Sequence, residues 1–90
     1  MKREEIYKII DGERDYQDKK WGGEEHDKTH FPTDWLIYMQ RCLNKAMTAD
    51  EEQDEEKLLS ELRQVVALGL ACFEVYGVPE RVNVLPENYV

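Results

Sequence analysis

Between Val65 and Val75 the chain is apolar on nearly every side of a helix, with Glu74 as the charged interruption. A helix apolar all round has to be buried all round. A chain of 90 residues buries only about 60–65% of its unfolded surface, so its own remaining helices cannot enclose such a segment. The expected solution is an all-α antiparallel bundle of three helices per chain, completed by oligomerisation. The simplest partner is a second copy, giving a homodimer or a higher homo-oligomer. Ala67, Gly69 and Ala71 would let another backbone come close.

The three helices are read from apolar spacing and its interruptions. The first covers roughly residues 2–20, with Ile6, Ile9, Ile10, Glu13, Gln17 and Trp21 along one stripe. GGEEHDKTHFP then breaks the pattern, opened by a glycine pair and closed by Pro32. Thr33 or Asp34 caps the second helix, which runs to about Ala49 with Trp35, Met39, Cys42 and Ala46 on one side. TADE at 48–51 fits a capping box for the third helix, and the acids from Asp50 to Glu56 suit its N-terminus. Leu58, Leu59 and Leu62 are expected to face inward, and the helix stops at Gly77 and Pro79. Residues 1–78 thus form the helical domain, and 79–90 a tail with strand-like alternation around Val82 and Val84.

Charge bounds the function. The net charge of −8 disfavours general nucleic-acid binding, which rewards clustered Lys and Arg. Residues 1–49 hold nine Lys/Arg against ten Asp/Glu, and residues 50–90 hold three against ten, so an anionic ligand would prefer the first half. The two cysteines, Cys42 and Cys72, lie in apolar helical patterns and read as buried free thiols. The N-terminus lacks the apolar core of a signal peptide, and the longest apolar run, VVALGLACF, is too short to span a bilayer. A cytoplasmic protein with no membrane partner is expected, in a bacterial or infected host cell.

Three constellations carry chemistry. His26 and His30 are four apart among acids, but Gly22, Gly23 and Pro32 place them in a loop and no second ligand cluster exists. They read as a polar loop with a structural histidine, and no metal ligand is assigned. Glu13, Gln17 and Trp21 share a helix face, where a base can stack on the ring and bond to the amide. Equally, Trp21 can plug the core while the polar pair bonds loop backbone. Arg14 and Asp18 pair on another face. Arg41 and Lys45 share a third face, beside Gln40 and Asn44. They either neutralise the acidic start of the last helix or face a phosphate.

The order of these features resembles the MazG-like all-α nucleotide pyrophosphohydrolases, in particular small phage and prophage relatives. The likeness spans about residues 9–76. It rests on Glu13, Arg14, Gln17, Lys20, Trp21 and Gly22 in ERDYQDKKWG, on the Trp-Leu start at Trp35, and on ELRQVV. It implies a helical bundle that dimerises or tetramerises. Its active members hold Mg²⁺ through E-E-x-x-E on one helix and E-x-x-D on the next, and convert nucleoside triphosphates to monophosphate and pyrophosphate. Here Arg41, Cys42 and Lys45 stand where the first motif belongs. Glu61 matches the acid of the second, and Gln64 replaces its aspartate.

The expected function is therefore a nucleotide-binding or regulatory module without pyrophosphohydrolase activity and without a cofactor. Arg14, Gln17, Lys20, Trp21, Trp35, Arg41 and Lys45 are the candidate ligand-binding residues. One alternative is a Mg²⁺-dependent hydrolase with a rebuilt acidic site using Glu61 and Glu13. Another is an acidic inhibitor of a host protein.

Overall fold

The computed structural model describes residues 1–81, and the described residues are all-helical. Helix α1 spans Arg3–Trp21, α2 Glu24–Asp27, α3 Pro32–Glu51 and α4 Glu55–Tyr76. The three expected helices become four, because the GGEEHDKTHFP segment holds one short turn of helix. Gly22 (φ 102°) and Gly23 (φ 72°) take left-handed backbone between α1 and α2, where a side chain would be strained. The strand-like alternation at Val82 and Val84 lies outside the described residues.

Two helix ends differ from expectation. At the start of α3 the capping position falls on Phe31. Its N–H donates to Asp34 Oδ2 at 2.8 Å, while Pro32 fills the first helical position, where a missing N–H costs nothing. At the other end Thr48 does not open the last helix. It lies inside α3, its hydroxyl donating to the Asn44 carbonyl at 3.2 Å. The true cap of α4 is Asp54, whose side chain accepts the Lys57 N–H at 3.1 Å. Several acids in this stretch can serve as caps. The chain reverses at Gln53, a non-glycine residue at φ 60°, and that turn selects Asp54.

Helices α3 and α4 form an antiparallel hairpin. Trp35 meets Tyr76 edge-on near one end, Met39 lies against Gly69, and Cys42 meets Gln64 nearer the turn. Trp35, Cys42, Leu68 and Ala71 make the core between them, flanked by Tyr38, Met39, Val65, Cys72 and Val75. Ala46, Ala49, Ala67 and Ala71 are buried. The small residues of α4 thus admit α3 of the same chain: Ala71 sits in that core, and a Cβ on Gly69 would meet Met39 Sδ at 3.8 Å.

Helix α1 packs on α4 with two ion pairs and, among its apolar residues, buries only Ile10. Glu13 accepts from Arg63 Nε at 2.6 Å, and Arg14 reaches Glu74 at 2.8 Å. The molecule is consequently open, with a radius of gyration of 14.6 Å against ~12 Å for a compact chain of this length. Leu59 and Leu62, expected inside, are exposed, as are Val66 and Phe73 on α4 and Leu36 and Met47 on α3. No helix among the described residues is long and apolar enough to cross a membrane.

Candidate functional site

Because α1 leans on α4 and hardly touches α3, a cleft of about 860 Å³ opens between α1 and α3, floored by α4. Lys20 and Trp21 line it from α1, Arg41 and Lys45 from α3, and Gln64 and Leu68 from α4. His26 and His30 stand at its α2 end. The candidate residues of α1 and α3 thus converge on one cavity, although their roles diverge.

Arg14 and Gln17 are structural in this arrangement. Both are buried. The guanidinium of Arg14 donates to Gln17 Oε1 at 3.0 Å, Asp18 Oδ1 at 2.9 Å and Glu74 Oε2 at 2.8 Å, with Asp27 Oδ2 at 3.4 Å. One side chain therefore ties α1, α2 and α4 together. Burial by itself would lower its pKa, but the surrounding carboxylates, Glu74 foremost, raise it instead, so the cation is locked in. Gln17 spends its amide oxygen on Arg14 and is only 3% exposed, which leaves its face closed to a base.

The two tryptophans also part company. Trp35 is 2% exposed, with the edges of His30 and Tyr76 packed against it at centroid distances of 5.5 and 6.2 Å. It contributes to the wall but offers no open ring face. Trp21 is 43% exposed, and Lys20 Nζ sits 5.2 Å from its ring centroid and 5.9 Å from that of Tyr16. Tyr16 lines the same cleft. It lies off the Glu13–Gln17–Trp21 stripe, so the spacing along α1 does not mark it.

Arg41 and Lys45 are exposed and line the cleft. Among the described residues neither makes an ion pair, with the acids of the α3–α4 turn or with any other carboxylate. In a chain with eight excess negative charges, two cations one helical turn apart with no carboxylate partner leave a local positive field at the cleft wall. Arg63 also reaches the cleft, but its charge is committed to Glu13.

The acids are placed differently. Glu13 is held by Arg63. Glu61 is buried, and its Oε2 has no hydrogen-bond partner. It lies close enough to Cys42 to help burial raise that thiol above its ordinary pKa, an effect Lys45 partly offsets. Cys42 Sγ also approaches Gln64 Oε1 at 3.8 Å. A buried neutral thiol is a poor nucleophile. Among the described residues no three of His, Cys, Asp or Glu are grouped so as to hold a metal ion.

The chain matches no family model, no curated protein and no solved structure.

Proposed function

We propose that the cleft between α1 and α3 binds a phosphate-bearing nucleotide, in a cytoplasmic MazG-like protein of phage or bacterial origin that captures its ligand and does not hydrolyse it. The observation that carries this reading is the pairing of Arg41 and Lys45 on one cavity wall with no carboxylate among the described residues to satisfy them. A phosphate supplies the missing charge, and Arg gives it two parallel N–H donors. On the facing helix, the exposed rings of Trp21 and Tyr16 offer a base a stacking surface once the Lys20 ammonium that lies over both rings swings aside to the phosphate.

The residues present do not fit the Mg²⁺ of active pyrophosphohydrolases. That ion needs a near-octahedral set of oxygens at about 2.0–2.1 Å. Here Glu13 is bonded to Arg63, Glu61 offers a single unpartnered oxygen, and two cations occupy the cleft wall. Thermal shift against a panel of nucleoside mono-, di- and triphosphates in EDTA tests the binding reading. At least one should raise the melting temperature, and Arg41→Gln with Lys45→Gln should remove the shift. No shift with any nucleotide defeats it. Pyrophosphate release that needs Mg²⁺ and is lost in Glu61→Gln would restore the enzymatic alternative.

The same reading includes a homodimer. Leu59, Leu62, Val66 and Phe73, all exposed, follow one another on α4 at intervals of three, four and seven residues, the spacing of a helix–helix seam. Leu36 and Met47 extend the apolar surface onto α3. Pairing two such hairpins would make a four-helix core and cover the apolar length of α4.

A further inference from the structure

We propose that His26 and His30 form a two-imidazole chelate for a borderline divalent transition ion of the Zn²⁺, Ni²⁺ or Cu²⁺ class. The sequence alone places this pair in a loop. The structure instead gives the loop a helical turn. Asp27 N–H donates to the Gly23 carbonyl at 3.0 Å, Lys28 N–H to Glu24 at 3.0 Å and Thr29 N–H to His26 at 3.0 Å. That turn stacks the two rings edge to face, with their Nε2 atoms 3.1 Å apart. At a metal–nitrogen distance of about 2.0–2.1 Å, such a separation subtends roughly 95–100° at a shared ion. The separation therefore suits adjacent coordination positions on one ion, once the proton between the nitrogens leaves and the rings turn so that both lone pairs meet it.

Their surroundings hold the pair in place. The carboxylate of Asp34 lies 3.6 Å from His30 Nδ1, beyond hydrogen-bond length, and places negative charge beside a ring that would carry a cation. His30 is held further by edge-to-face contacts with Trp35 and Tyr38, and its carbonyl accepts the Tyr76 hydroxyl at 2.6 Å. The nearest cation in sequence, Lys28, is drawn to Glu24 at 3.4 Å and Glu25 at 3.9 Å. Water completes the shell, since among the described residues no third ligand is grouped with the pair.

The test titrates the intact chain with Cu²⁺ in a non-chelating buffer, followed by calorimetry and electron paramagnetic resonance. One saturable ion per chain with nitrogen hyperfine structure from two imidazoles is expected, and Mg²⁺ should not compete. His26 is exposed, so His26→Gln keeps the fold, checked by circular dichroism. It should weaken binding by at least ~10-fold, the loss that follows removal of even a group that only hydrogen-bonds to a ligand. His30→Gln should do the same. Absence of saturable binding, or equal binding by wild type and His26→Gln, overturns the proposal and marks any uptake as adventitious binding to surface carboxylates. The readout is independent of the nucleotide experiment, so either can fail alone.

Discussion

Arg14 and Glu74 lie sixty residues apart and meet at 2.8 Å, joining the first and last helices through a guanidinium that is almost wholly buried. The same guanidinium reaches Asp18 and Asp27, so it substitutes for the apolar seam that α1 lacks. Removing it would leave Asp27 part-buried without its partner and open a gap beside Ile10. Arg14→Ala is expected to cost about 3–5 kcal/mol, the range for breaking a buried pair, measured by urea unfolding. Arg14→Lys should recover little, because a single ammonium cannot span three carboxylates and an amide. Glu74→Gln should cost only about 0.2–1 kcal/mol, since that carboxylate is half exposed and screened.

Cys42 links stability to alkaline pH. Burial, and then the charge of Glu61, raise its thiol above the ordinary value. In the unfolded chain the thiol ionises first, so the folded state holds the extra proton. Its contribution is fully present below the unfolded pKa and is lost as pH rises through the folded pKa. Unfolding free energies measured from neutral pH into the alkaline range should fall more steeply for wild type than for Cys42→Ala. Equal slopes would show that the thiol is not held neutral by the fold.

The α3–α4 turn stores strain at Gln53, whose φ of 60° is a left-handed conformation that costs a non-glycine residue roughly 1–2 kcal/mol. Gln53→Gly should stabilise the protein by about 0.5–1 kcal/mol after the added unfolded-state entropy. A raised denaturation midpoint with an unchanged m-value would register it. Gln53→Val, which tolerates that backbone poorly, should do the reverse.

The outer face of the hairpin makes a concentration-dependent prediction. Sedimentation equilibrium should find a dimer, and Val66→Glu with Phe73→Glu should return it to monomer with its helicity retained. A wild-type chain that stays monomeric at ~100 μM, where even a 1 μM interface is nearly saturated, would remove the homodimer from the functional reading.

Much of the helical skeleton was legible in the residues. The apolar spacing of Trp35, Cys42 and Ala46 marked the buried face of α3, and the glycine pair and Gly77 marked where helices stop. The turn at Gln53 was not legible, because every residue from Asp50 to Glu56 except Gln53 is an acid able to cap or begin a helix. Nor was the exposure of Leu59 and Leu62. Leu58, Leu59 and Leu62 make one apolar stripe among charged residues, and which part of it is covered depends on where α3 docks, which the spacing along α4 does not record.

The sequence by itself determined that the described chain is helical and where α1, α3 and the end of α4 lie, because spacing, glycine and proline act locally, whereas α2 and the start of α4 at Asp54 were not fixed by it. It also supplied the cations of the first half. Only the tertiary structure decided that Arg14 is a buried clamp while Arg41 and Lys45 line a cavity unpaired, and that two loop histidines face each other at 3.1 Å. Which charge meets which partner depends on where helices remote in sequence are brought together, and one helix's pattern carries no record of the next helix's position.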